Sequence, residues 1–204
     1  MTTSRDLMII AVDAESSRPV ERGELSLALA GAEVIDLIEV GAVVLDDDRI
    51  VPGYRPTLAD ALLDQAASDL VRDVPYESVD DWLWRRGRGL SEAYRTAFEA
   101  EGLVGRRRRR GMPFGTGHVV TADSPDRRAA TDRWASAEPV LVALAAALGI
   151  RAGDAEETVD SAGVADDAVD TVLAAVHGSL LELAAIRQQR AIEQAAFDNI
   201  WRGQ

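Results

Sequence analysis

Cysteine is absent from the 204 residues. This excludes disulfides, thiolate zinc sites, iron–sulfur clusters and cysteine nucleophiles together, and it fits a reducing compartment, so a cytoplasmic location is the expectation. Histidine is scarce: His118 and His177 are far apart in sequence and form neither a zinc-type spacing nor a local triad signature. No run of about 18 apolar residues occurs, and Met1 to Pro19 lacks the basic-then-apolar order of a secretion signal, so no bilayer-spanning segment is predicted. Lysine is missing as well. All 22 basic residues are Arg, a bias that GC-rich coding explains more readily than phosphate recognition does.

Motifs that would carry chemistry are also lacking. The glycine-rich stretch Gly111 to Gly117 has no Gly-Lys-Ser/Thr ending and no dinucleotide spacing. Asp46 to Asp48 and the acids between Asp154 and Asp170 lack the frame of a calcium loop. No catalytic pair, metal set or cofactor is nominated; an enzyme using carboxylates distant in sequence stays open, because acid–base pairs need only spatial proximity.

Charge is what the chain has, and it is unevenly spread. Net charge is −13, yet residues 85–134 hold 12 of the 22 Arg against 6 acids, and both flanks are strongly acidic. Five of those arginines are consecutive, Arg106 to Arg110. A local basic surface on an acidic body suits an anionic membrane. Neutralisation of the same arginines by the acidic flanks in surface ion pairs is the competing reading. The overall charge and the aspartates at a neighbouring turn argue against specific nucleic acid.

The pattern predicts a mainly α chain. Leu7 to Val12 reads as a strand or a buried helical turn, and Glu24 to Val40 as a helix closed by Gly41. Ala42 to Val51 reads as a hairpin turning on Asp46-Asp47-Asp48, which makes a winged-helix-like unit with the preceding helix. Thr57 to Val71 is amphipathic. A long helix is predicted from Ser78, its cap, to Glu101.

On that helix Val79, Trp82, Leu83, Leu90, Ala93, Tyr94, Ala97 and Phe98 share a buried face, while Trp84, Arg88, Ser91 and Arg95 share the opposite one with Arg85 at its border. Arg88 is spaced to meet Trp84 or Glu92. Trp84 either points outward or packs on another helix. Arg86 falls inside the apolar arc and requires a buried carboxylate or a helix end.

Leu103 to Val120 reads as a projecting basic β-hairpin with Met112 and Phe114 near its tip. It suits a lipid interface, a second copy of the chain, or an acidic neighbour. Ser124-Pro125 opens the next helix, Pro139 to Leu148 forms another, and the last runs from about Asp167 to Ile200 with Gly178 a candidate kink.

The order of segments, "LALAGAEVIDLIEVGAVVLDDDRIV" from Leu27, "ADALLDQAASDL" from Ala59 and "DWLWRRGRGLSEAYRTAFEAEGLV" from Asp81 followed by a basic hairpin, resembles the Golgi phosphoprotein 3 family in its bacterial form. The resemblance covers roughly residues 5–200 and implies one compact multi-helix bundle with a projecting hairpin. It implies a non-enzymatic peripheral membrane protein that binds phosphatidylinositol 4-phosphate, with the hairpin used for bilayer contact and homo-oligomer formation. The family's lipid pocket uses a Trp and an Arg, which fall on Glu21 and Ala30, and two arginines three apart, which fall on Arg88 and Ser91. Only Arg88 survives. The implied headgroup residues are therefore Arg88, Trp84, Arg85 and Arg95, and the implied membrane or oligomer residues are Arg106, Arg107, Arg108, Arg109, Arg110, Met112 and Phe114.

Overall fold

The apolar run left open between strand and helical turn is part of helix α1 (Thr3–Ala14) in the computed structural model, which describes residues 2–14, 20–107, 118–151 and 166–202. Leu7 to Val12 are all buried, and a helix buried all round shows no amphipathic period. The N-terminus of α1 is capped from another element. Asp36 accepts the backbone N–H of Thr3 (2.6 Å) and Ser4 (3.0 Å) and the Ser4 hydroxyl (2.7 Å), placing a carboxylate at the positive end of the helix dipole.

Asp36 belongs to α2 (Arg22–Glu39), the central helix. It ends as its sequence predicts: Gly41 takes φ +70°, its N–H bonds Ile38 O, and Ala42 N–H bonds Leu37 O, the two bonds of a Schellman cap. Strands β1 (Val43–Asp46) and β2 (Arg49–Pro52) then pair antiparallel with Leu45 opposite Ile50. Asp47 turns between them at φ 52°. Bonds from Ile50 N–H to Glu77 O and from Val79 N–H to Asp48 O, both 2.9 Å, pin this winged-helix-like hairpin to the chain entering the next long element.

Helix α3 (Ala61–Ser68) is shorter than the predicted span 57–71. Asp60 caps it by accepting Leu63 N–H at 2.8 Å, which fixes the start four residues late. The predicted single helix from Ser78 to Glu101 is two: α4 (Val79–Arg86) and α5 (Leu90–Ala100). Ser78 caps α4 as expected, accepting Asp81 N–H and donating to its carboxylate. The break comes at Gly87-Arg88-Gly89, where Gly89 adopts φ +73°, open to glycine at little cost. The wheel drawn through that point fails in part: Val79, Trp82, Leu83, Leu90, Tyr94 and Phe98 are buried, but Ala93 is exposed and Ala97 half-buried.

Strands β3 (Val104–Arg107) and β4 (His118–Thr121) form the second hairpin, with Arg107 opposite His118. Arg106 and Arg107 stand on β3, and their side chains lie outside the described residues, as do Arg108, Arg109, Arg110, Met112 and Phe114 entirely. The acids from Asp154 to Asp160 are likewise outside.

Helices α6 (Pro125–Ala135) and α7 (Pro139–Ala147) follow, the former capped by Ser124. Helix α8 (Asp167–Arg202) runs unbroken through Gly178. Its inner face, Val169, Val172, Val176 and Leu180, joins the main core cluster with α1, α2, α4 and α5. Contact with α2 is close at Gly31, where a Cβ would come within 2.3 Å of Val176 Cγ2. Contrary to expectation, Asp167–Ala195 is long and apolar enough to cross a membrane by length and composition. In this fold its inner face is committed to the core.

Candidate functional site

Arg86 resolves the one charged residue inside the apolar arc. Its Nε and Nη2 donate to Glu33 at 2.8 and 2.9 Å, Nη1 to Asp69 at 3.2 Å and Nη2 also to Leu62 O at 3.0 Å. Tyr94 OH donates to Glu33 at 3.2 Å. Burial pushes the Glu33 carboxyl above the usual carboxylate range, while the Arg86 bonds pull it back. This cluster is sealed, so it is structural.

Two residues further on, the chain has left the helix. The turn Gly87–Gly89 carries Arg88 out onto the surface beside the first turn of α2, and an open pocket of about 370 Å³ lies between them. Arg22, Gly23, Ser26 and Leu27 of α2 line one side, Trp84 and the glycine turn another, and Ser91 and Glu92 of α5 with Leu183 of α8 complete it.

Hydrogen bonds fix the floor. Ser26 Oγ donates to Ser91 Oγ (2.9 Å) and accepts Ser91 N–H (3.0 Å), and Ser91 Oγ donates to Arg22 O (3.1 Å). Both serines are buried and satisfied. The rim is charged: Glu92 lies 3.9 Å from Arg22 and 4.0 Å from Arg95.

Of the predicted headgroup residues, Trp84 and Arg88 line the pocket, whereas Arg85 and Arg95 do not. Trp84 is half-buried, its packing face toward the core. Arg85 bonds Glu77 twice at 2.7 Å and stacks over the Trp82 ring at 5.1 Å. The predicted contact of Arg88 with Glu92 or Trp84 is absent among the described residues, because the glycine turn breaks the helical spacing it needs. Ala30 is fully buried behind the pocket, its carbonyl accepting Trp82 Nε1–H at 3.2 Å. Glu21 is exposed and lies 3.9 Å from Arg187.

The wider basic segment is largely neutralised on the body. Arg85, Arg86, Arg95, Arg127, Arg128 and Arg133 each sit within 4.0 Å of a carboxylate, including Arg127 with Asp13 and Arg133 with Asp6. Among the described residues with described side chains, Arg88 is the arginine of segment 85–134 without such a partner. The outward patch thus contracts to Arg88 on the body, and Arg22 at its side is the cation that reading the sequence missed. The signal for it was the start of α2 directly after Glu21, opposite a turn flanked by two glycines.

The model of the Golgi phosphoprotein 3 (GPP34) family matches residues 4–195. The chain belongs to this family. No curated protein matches it. Golgi phosphoprotein 3 membership supports a Golgi phosphoprotein 3-like function. Among the described residues no cluster of three or more His, Asp or Glu is placed to hold a metal ion.

Proposed function

We propose that this Golgi phosphoprotein 3 family member is a non-enzymatic, cytoplasmic, peripheral membrane protein whose Trp84–Arg88 pocket takes the headgroup of an anionic phospholipid of the phosphoinositide class. The observation that carries the reading is Arg88: an exposed guanidinium without a carboxylate partner among the described residues, on the turn at the mouth of a pocket. Arginine binds phosphate through two parallel charge-assisted bonds, and an arginine not already paired has those donors available. Trp84 supplies an apolar wall for the glycerol end of the lipid. The arginines Arg106 to Arg110 add attraction to an anionic surface, about 1 kcal/mol for each that comes near it.

Vesicle sedimentation at low salt tests this. The protein is expected to pellet with phosphatidylcholine vesicles containing anionic lipid and to stay in solution with pure phosphatidylcholine. Arg88→Gln is expected to lower pelleting severalfold. Equal, negligible pelleting in both vesicle types contradicts the proposal.

A further inference from the structure

Helix α8 leaves the body before it ends. Leu183, Ile186 and Arg187 are still half-buried, with Arg187 Nη1 donating to Glu24 at 2.6 Å, but every residue from Gln188 to Ala195 is exposed. Helical stability in proteins comes mostly from packing an apolar face, and these turns expose all of theirs. On the side of α8 turned away from the body, Gly178, Leu181, Ala185, Gln188, Ile192 and Ala195 follow at alternating spacings of three and four residues. This is the a/d repeat of a helix that pairs with another helix. All are exposed, Leu181 by 60% and Ile192 by 62%, and a Cβ added at Gly178 would meet nothing within 4 Å.

The series complements itself when reversed. Two copies laid antiparallel about a twofold axis between Ile186 and Arg187 set Leu181 of each against Ile192 of the other, Ala185 against Gln188, and Gly178 against Ala195. The large apolar side chains meet at two places, and the small residues beside them let the axes approach to the distance of about 8–10 Å usual for packed helices. At the flanking positions Glu182 falls opposite Gln189, whose Nε2 keeps one N–H after bonding Glu193 at 3.0 Å. Ala184 falls opposite Ala191, so no like charges meet there. A lipid surface fits this face less well. Interfacial helices set large apolar residues against a basic polar side, whereas here Gln188 stands in the middle of the face and Glu182 at its border.

We propose that the outer face of α8 between Gly178 and Ala195 is a self-association surface through which two copies of this chain pair antiparallel. In this register the helices run together from residue 174 to residue 199, about 38 Å, and a contact strip about 12 Å wide on each copy amounts to roughly 900 Å² in total. That is below the size of a standard interface and gives a weak, concentration-dependent dimer. Leu183, which lines the Trp84–Arg88 pocket, lies on the opposite side of α8, so pairing leaves both pockets open.

The chain has no cysteine, so introduced ones report the register alone. Under mild oxidation an equimolar mixture of the Leu181→Cys and Ile192→Cys chains is expected to form a covalent dimer at least about tenfold faster than either chain by itself. A disulfide needs Cα atoms about 4.4–6.8 Å apart, and the antiparallel register keeps like positions at least about 16 Å apart. Light scattering of the unmodified chain is expected to show a mass rising from monomer toward dimer between about 1 and 300 µM, and the double variant Leu181→Glu with Ile192→Glu is expected to stay monomeric. Equal linkage in the three oxidised samples, or a double variant that associates as the unmodified chain does, overturns the proposal. A monomer mass at every concentration overturns it as well, and a severalfold loss of vesicle pelleting by the same double variant would then assign the face to a lipid surface.

Discussion

The two faces of α2 that meet α4 and α5 carry nearly the same inventory and put it to opposite uses. On one face stand Arg86, Glu33 and a hydroxyl from Tyr94; on the other stand Arg88, Glu92 and a hydroxyl from Ser91. The first set is closed to water, with the Arg86 side chain 8% exposed and that of Glu33 0%. The second is open. Arginine type and its spacing along the chain do not separate the two roles; the two glycines that flank Arg88 do, by ending the helix before Arg88 can turn inward. A buried pair must satisfy itself, while an exposed arginine left without a partner can take its partner from outside.

The comparison is tested most severely at Glu33. Glu33→Gln removes one charge from a sealed pair and leaves Arg86 with only the outlying Asp69 and a carbonyl. The expected loss is about 3–5 kcal/mol of unfolding free energy, read by urea denaturation. A loss under about 1 kcal/mol would mean that the pair is solvated and that the contrast with Arg88 has no physical basis.

The buried side of α2 also predicts a pH dependence. Burial pushes the Asp36 carboxyl up to about 6, against the bonds it accepts from Ser4 and Thr3. The folded state therefore holds this proton more tightly than the unfolded chain does. Its contribution to stability is complete below the ordinary Asp range and is lost as pH rises through about 6. Burial raises Asp6 and Glu33 in the same direction. Stability is expected to increase from pH 7.5 to pH 5, and Asp36→Asn is expected to remove about 1.4 kcal/mol of that increase. An unaltered slope in the variant would assign the effect to other groups.

The sequence made the helices of the interior legible because their apolar residues keep a period and their ends carry chemical marks. Ser78, Ser124 and Gly41 each do what their side chains allow. Arg86 was legible for a sharper reason: a charge inside an apolar arc has few affordable environments, so a buried carboxylate could be required before Glu33 was known. The pocket was not legible, because it depends on where the chain leaves the helix. Gly87 and Gly89 were tolerable inside a helix at about 1 kcal/mol each, and nothing local said that both would be used to end it. With the break unseen, Arg85, Arg88 and Arg95 fell on one face in projection, when in space Glu77 holds Arg85 away and Arg22 comes from another helix. Helix α1 hid for the opposite reason, since a segment buried on all sides has no polar face to set its period.

Arg88→Gln gives the smallest stability effect and the cleanest separation. The residue is exposed, has no carboxylate partner among the described residues, and sits on a turn whose shape is set by its glycine neighbours. Its replacement is expected to leave unfolding free energy within about 0.5 kcal/mol of the wild type, in the same urea titration in which Glu33→Gln loses several. The two variants remove one charge each, one from α2 and one from the turn between α4 and α5. If Arg88→Gln proves as destabilising as Glu33→Gln, Arg88 is held by the fold rather than offered to a ligand, and the pocket loses the cation on which its reading as a headgroup site depends.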